Sequence, residues 1–226
     1  MEALNMDKPI DTLTGLVSGV ELDGDMEALI AKGGDFAFII MDIDELMVIN
    51  SKFGHEVGDD VFRLIARHIR DVFPEPCVAY RNRRDEFNVL LPGSGKEEAF
   101  LKAEQVRKLI CESELDRFAA DGTRLRQTVS IGVSSYPDDG GRPADIFRRA
   151  DGAMIRAKKN GRNLVYLARD EKLTPKTSHY TQAQLEKLSF TSDKLGVGES
   201  ALLREALDDL LKKYDVDNVG VTGKIG

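Results

Sequence analysis

Two short acidic clusters hold the residue types best suited to chemistry in this chain. Asp42-Ile43-Asp44 ends a long apolar run, and Asp85-Glu86 sits between two shorter ones. Carboxylates at the ends of neighbouring strands can share a divalent cation, and hard oxygen donors suit Mg2+ with phosphate oxygens completing its shell. The same residues are also consistent with merely solvated strand ends. Gly54-His55-Glu56-Val57-Gly58-Asp59 leads into an amphipathic segment. There glycine permits a tight turn, and Asp59 stands near first-turn N–H groups, as a helix cap would. Lys158 and Arg162 flank Gly161 at the end of a later amphipathic segment. They could hold an anion or simply complement the C-terminal end of a helix, with Gly161 as its cap. Other strings are weaker. Pro92-Gly93-Ser94-Gly95-Lys96 lacks the GxxxxGK[ST] spacing and reads as an ordinary strand-to-helix loop. His68 reads as a surface residue, and Cys77 and Cys111, far apart and outside any CxxC spacing, as two buried thiols.

These groups need a frame, and the apolar pattern supplies one. Phe36 to Ile43 is a continuous apolar run ending in acid, which predicts a strand buried on both faces. Val61, Phe62, Ile65, Ile69 and Val72 recur at helical spacing and predict a core-facing helix over Gly58 to Phe73. Cys77 to Arg81 and Phe87 to Leu91 read as a hairpin around Asn82 to Glu86. Helices over Glu97 to Cys111 and Ala144 to Lys159 bracket a strand over Gln127 to Ser134. Strands and helices alternating in this way imply a mixed α/β (α+β) domain, a sheet covered by helices.

The pattern changes past the polar stretch Ala168 to Pro175, where a proline prevents a helix from continuing. The reading is a first domain over 1–170 and a smaller module over 171–226. Lys176 to Thr181 is a short polar strand, Gln182 to Leu195 a helix, Gly196-Val197-Gly198 a turn, Glu199 to Tyr214 a second helix, and Val216 to Gly226 a frayed tail. Leu203, Leu207, Leu210 and Tyr214 form one stripe of that last helix. A strand and two helices are too short to bury that stripe alone, which predicts pairing with a second copy.

Composition narrows the classes. The chain has 226 residues, 42% of them hydrophobic, and a formal net charge of -7. That is enough apolar content for a core, and no apolar run approaches the ~20 residues that span a bilayer. Glu2, Asp7 and Lys8 interrupt the start, so no secretory leader is read there and a soluble, cytoplasmic protein without membrane contact is expected. The acidic balance disfavours non-specific coating of nucleic acid. From Glu171 onward eight basic residues face nine acidic ones, so nearly all of the -7 belongs to the first domain.

Taken together, Asp11-Thr12-Leu13-Thr14-Gly15-Leu16, Asp42-Ile43-Asp44, Asn50, Gly54-His55, Gly58-Asp59, Asp85-Glu86-Phe87, Ala150-Asp151, Ala157-Lys158 and Gly161-Arg162-Asn163 resemble the GGDEF domain of diguanylate cyclases over about residues 11–168. The resemblance implies a ferredoxin-type cyclase sheet that binds GTP with Mg2+, two such domains meeting to make cyclic di-GMP. It implies that Asp42, the Ile43 carbonyl and Asp85 hold the metal and that Asn50 and Asp59 hydrogen-bond the guanine. Lys158 and Arg162 would hold phosphates, and Glu86 would assist the attacking 3′-hydroxyl. The sequence departs from the family at its signature, where the two glycines are Arg83 and Arg84. A side chain there costs roughly 1–2 kcal/mol in a left-handed conformation, and the guanidinium groups could pair with phosphates or with Asp42 and Asp85. Weak or absent cyclase activity is therefore expected. Met47 stands where the family has a phosphate-facing lysine, and Pro74-Glu75-Pro76-Cys77 does not match the Arg-x-x-Asp motif of product inhibition, so no such inhibitory site is expected.

Residues 174–214 resemble the ribbon-helix-helix repressors of the MetJ/Arc type, which implies an intertwined dimer whose paired strands enter the major groove. With Tyr180 toward the dimer core, period two places Thr177 and His179 on the DNA face, with Lys176 adjacent. Backbone N–H groups near Glu199 and Ser200 could meet a phosphate. A tail used only for dimerisation is the competing reading. The combined expectation is a dimeric, GTP- or cyclic-di-GMP-linked transcription regulator. The alternatives are a weak diguanylate cyclase with the tail as dimeriser and a nucleotide-controlled scaffold that does not touch DNA.

Overall fold

The structure, a computed structural model, describes residues 8–82, 85–113, 115, 125–169, 176–195 and 198–214. The chain divides into two compact units, Met1–Asp170 and Glu171–Gly226.

The first unit is a six-stranded sheet with helices on both faces. Its strands are β1 (Val17–Ser18), β2 (Phe36–Ile43), β3 (Val78–Arg81), β4 (Glu86–Pro92), β5 (Val129–Tyr136) and β6 (Val165–Leu167), in the order β1-β3-β4-β2-β5-β6. The central strand β2 runs antiparallel to β4 and β5 and is buried along its whole length, as its unbroken apolar run requires. Its alternate residues feed two cores. Ala37, Ile39, Met41 and Ile43 face a cluster with Val61, Ile65 and Ile69 of α3 (His55–Val72) and Ala103 and Val106 of α4 (Lys96–Glu112). Phe36, Phe38 and Ile40 face Leu22 and Met26 of α1 (Leu22–Ala31) and Ile146, Ala150 and Met154 of α5 (Pro143–Lys159). At roughly 1.5–3 kcal/mol for each large side chain buried, these two faces dominate the stability of the unit.

α5 lies unusually close to the sheet. A Cβ built on Gly132 of β5 would stand 1.9 Å from the Ala150 carbonyl oxygen and 2.6 Å from the Met154 nitrogen, both backbone atoms. Gly132→Ala must therefore push α5 outward, and a loss of about 2 kcal/mol or more is expected in urea denaturation, with Gly132→Ser no better.

Several sequence expectations need correction. The helix read from Gly58 starts at His55, and a separate short helix, α2 (Leu46–Phe53), precedes it. The break falls at Gly54, whose φ of 90° suits glycine. Asp59 is thus inside α3 rather than at its cap. Gly58 serves a close approach instead: a Cβ there would meet Asn50 Oδ1 at 2.1 Å. Cys77 is half-buried and Cys111 exposed, so the thiols are not two core residues. His68 is half-buried, its Nε2 2.7 Å from Ser113 Oγ. Pro92 to Lys96 is a strand-to-helix connection in which Lys96 is engaged by Asp139 at 2.8 Å.

The second unit contains α6 (Gln182–Leu195) and α7 (Glu199–Tyr214). Thr181 caps α6 reciprocally: its Oγ1 accepts from Gln184 N–H, and its own N–H donates to Gln184 Oε1 at 2.9 Å. Residues 176–181 are exposed and form no strand, unlike the expectation for Lys176 to Thr181. A strand needs a hydrogen-bonding neighbour, and the described residues offer this segment none. Gly196-Val197 and the tail from Val216 lie outside the described residues. No helix among the described residues is long and apolar enough to cross a membrane.

Candidate functional site

β2 and the β3–β4 hairpin bring the two acidic clusters together. Asp42 is the cross-strand partner of Glu86 on β4, and Ile43 N–H donates to the Asp85 carbonyl at 3.2 Å, fixing the end of the hairpin beside the end of β2. From the other side α5 delivers Lys158, whose Nζ lies 3.0 Å from Asp42 Oδ1. The carboxyl of Asp42 is only 10% exposed. Burial pushes its pKa up to about 7 against the pull of Lys158, and the negative charges of Asp85 and Glu86 add to the rise. Oδ1 is buried, and the Lys158 ammonium is the group that faces it. A buried carboxylate crowded by two more is a place where a cation would be stabilised.

Asp44 behaves differently although it belongs to the same tripeptide. It accepts from Thr128 Oγ1 and Ser130 Oγ, both at 2.7 Å, and from Asn163 N–H at 3.0 Å. Its lone pairs are spent on structure: it ties the end of β2 to β5 and to the turn after α5. That turn is tight, with Gly161, Arg162 and Asn163 all at positive φ (118°, 61° and 47°). Gly161 follows the helix end as a C-cap residue should, and Arg162 N–H donates to the Ala157 carbonyl at 3.0 Å. Arg162 is exposed and lines a cleft of about 450 Å3 with Asp44, Lys52 and Arg126.

Asn50 of α2 packs against Gly58 of α3, the residue before Asp59, and Asn50 and Asp59 are both half-buried. Asn50 Oδ1 is buried with no hydrogen-bond partner among the described residues, so this carboxamide has an acceptor to offer. The structure therefore joins Asp42, Ile43, Asp85, Glu86 and Lys158 in one cluster and places Asn50 against Gly58, next in sequence to Asp59. Arg162 belongs to the neighbouring cleft, and Arg83 and Arg84 lie outside the described residues. Among the described residues no three His, Cys, Asp or Glu side chains are arranged as a complete metal cage. A cation here would rest on Asp42, Asp85 and the Ile43 carbonyl, with a bound phosphate supplying the remaining oxygens.

Residues missed in the sequence also shape the site. Arg81 lies over the rings of Phe62 and Phe87, 4.2 and 5.0 Å from their centroids, and its Nη1 donates to the Glu86 carbonyl at 3.0 Å. Asn82 and Asn88 both reach the Glu86 carboxylate. The signal for Asn88 was visible: it is a polar residue inside the apolar run Phe87 to Leu91. In the second unit, Lys176, Thr177 and His179 are exposed, and Glu199 and Ser200 open α7.

A family model described as diguanylate cyclase, GGDEF domain, matches residues 9–164, and a ribbon-helix-helix domain model matches residues 172–215. Response regulator PleD of Caulobacter vibrioides is 33% identical over 159 residues, covering 69% of this chain and 35% of PleD. Diguanylate cyclase VdcA of Vibrio cholerae is 31% identical over 163 residues, 70% of this chain and 47% of VdcA. The chain thus spans less than half the length of these relatives. Among solved structures, the GGDEF domain of DgcB from Caulobacter crescentus in complex with c-di-GMP aligns with a TM-score of 0.63 at 28% identity, over 73% of this chain and 98% of that one. The active GGEEF domain of a diguanylate cyclase from Vibrio cholerae aligns at 0.61 and 30% identity, over 69% and 99%.

Proposed function

We propose that this chain, which belongs to the GGDEF family of diguanylate cyclase domains and carries a C-terminal ribbon-helix-helix domain, is a dimeric guanine-nucleotide-binding regulator with a degenerate catalytic signature. The observation that supports this reading best is the convergence of Asp42, Asp85 and Glu86 on one end of the sheet with Lys158 beside them. That arrangement suits a triphosphate and its cation, whereas Arg83 and Arg84 stand where turnover needs glycine. Asp42, the Ile43 carbonyl and Asp85 would hold Mg2+, which when bound would neutralise phosphate charge. Lys158 and Arg162 hold phosphate oxygens, and Arg83 and Arg84 add cationic charge to the same ligand. Asn50 and Asp59 read the guanine, Asn50 as acceptor through its unpartnered Oδ1 and Asp59 as acceptor through its carboxylate.

The first test is calorimetric titration of GTP with Mg2+ into the purified chain. Saturable binding is expected, and no binding at millimolar nucleotide overturns the reading. Asn50→Ala removes one base contact worth ~1 kcal/mol, so the preference for GTP over ATP is expected to fall about 5-fold.

The second domain supports dimerisation and DNA contact. Leu185, Phe190, Leu207, Leu210 and Leu211 are all more than 40% exposed in the single chain, an apolar surface that a second copy would cover. The paired 176–181 segments would then form the ribbon, with Lys176, Thr177 and His179 toward the major groove and the α7 start at Glu199 and Ser200 against a phosphate. Nucleotide alters DNA affinity only if it binds the DNA-competent state differently. Anisotropy titrations of DNA selected on the full chain are expected to shift with GTP; identical curves reject the coupling. A second reading, a weak cyclase with the tail as dimeriser, is favoured by the retained Asp85 and Glu86. Tethering two nucleotide domains raises their effective concentration in either case.

A further inference from the structure

Glu86 is held by one oxygen. Its Oε1 accepts from Asn82 Nδ2 at 2.6 Å and from Asn88 Nδ2 at 3.0 Å. The two donors come from the two arms of the hairpin: Asn82 directly follows β3, and Asn88 lies two residues along β4, on the same sheet face as Glu86. Neither residue is where packing alone would put it. Asn88 is fully buried, cross-strand from Ile40 and Tyr80, which are fully buried themselves. Its Oδ1 accepts no hydrogen bond from the described residues. A carboxamide satisfied at one end only is an unfavourable choice for that position, which a valine would fill without leaving an orphaned acceptor. Asn82 imposes a matching demand on a distant part of the chain. A Cβ on Gly19 would stand 1.7 Å from Asn82 Oδ1, so the carboxamide occupies space that only a glycine at 19 leaves open. Meanwhile Arg81, stacked on Phe62 and Phe87, pins the Glu86 carbonyl. Backbone and carboxylate are each fixed by separate groups.

We propose that Asn82 and Asn88 are positioning residues for Glu86: they occupy Oε1 and leave Oε2 as the single oxygen offered beside Asp42, its cross-strand partner. This rests on the reading of the Asp42–Asp85–Glu86 cluster as the nucleotide and cation site. Glu86 then contributes one fixed oxygen to whatever is bound there, and a loosened Glu86 binds it less well. Partners that orient a ligand residue in this way are commonly worth 10- to 100-fold in metal affinity.

The test uses the full chain and its Asn82→Ala, Asn88→Val and Glu86→Ala variants, with Mn2+ as the spectroscopic probe of the cation. In the ligand-free protein, the side-chain amide 15N–1H signals of Asn82 and Asn88 are expected to move on Glu86→Ala; unmoved signals overturn the proposal. With GTP present, Asn88→Val and Asn82→Ala are each expected to weaken Mn2+ binding about 10-fold by electron paramagnetic resonance. The thermal midpoint of Asn88→Val is expected to be equal to or above that of the parent. In the Glu86→Ala background the same Asn88→Val change is expected to have no further effect on Mn2+. A 10-fold loss that persists in that background, or a lower midpoint with unchanged affinity, assigns Asn88 to packing and overturns the proposal. If the parent chain takes up no Mn2+ with GTP, the nucleotide-site reading fails, and the amide signals alone decide whether the two asparagines hold Glu86.

Discussion

Replacing Arg83 and Arg84 together by glycine is expected to raise cyclic di-GMP formation by about 100-fold or more over the parent chain. The frame on either side of these residues is intact: Asn82 N–H donates to the Glu86 carbonyl at 3.1 Å, and Ile43 N–H to the Asp85 carbonyl at 3.2 Å. Glycines restored there enter a hairpin whose ends are already held. Glycine, unlike arginine, carries no Cβ cost of ~1–2 kcal/mol in a left-handed turn and brings no side chain into the approach of a phosphate. The rate gain follows from geometry, because an error of ~1 Å in the position of reacting groups costs on the order of 100-fold. Chromatographic product formation at saturating GTP measures it, and GTP affinity is expected to fall as two phosphate-pairing cations are lost. If the double variant turns over no faster than the parent, the arginines are not what limits the reaction.

The second large effect belongs to Asp42. Its pKa of about 7 lies above that of an unfolded aspartate, near 4, because burial disfavours its charged form more than Lys158 favours it. The folded state therefore binds more protons than the unfolded state between these two values. The stabilisation from the neutral carboxyl is fully present below about pH 4 and is lost as pH rises through about 7. Three pH units correspond to about 4 kcal/mol, with little solvent screening of a side chain only 10% exposed. Urea denaturation across pH 4 to 8 is expected to show stability declining by a few kcal/mol in the ligand-free chain. Asp42→Asn is expected to flatten that decline and at the same time abolish cation-dependent GTP binding. A variant that keeps the full slope places its origin in another group.

Much of the frame was legible because its elements are long and strongly patterned. The apolar run of β2 gave both its ends, α4 differs from expectation by one residue at each end, and α5 differs by one residue at its start. What was missed has physical causes. β1 and β6 are two and three residues long, too short to show a period. The stripe of α1 is interrupted by buried Asp25, which accepts from Tyr80 OH and pairs with Lys8. α2 carries Met47 and Val48 exposed at 70% and 46%, so its apolar residues do not mark its buried face. Gly58 reads as a helix start because glycine usually breaks helices, yet here it makes room for Asn50 inside one. In the site, the acidic clusters could be recognised from residue type and position. The different fates of Asp42 and Asp44 could not, since they depend on Thr128, Ser130 and Asn163, which lie 84 to 119 residues away in sequence. The absence of a strand at 176–181 marks a different limit, since a strand forms only where a neighbouring segment can pair with it.

Nucleotide binding without efficient turnover can be tested directly in one measurement. The full chain, at a GTP and Mg2+ concentration shown by calorimetry to saturate it, is incubated for hours, and the nucleotides are then resolved chromatographically. GTP recovered essentially unchanged, beside abundant cyclic di-GMP from the Arg83→Gly, Arg84→Gly variant, is the expected result. Parent and variant making cyclic di-GMP at comparable rates would contradict it and establish the chain as an enzyme.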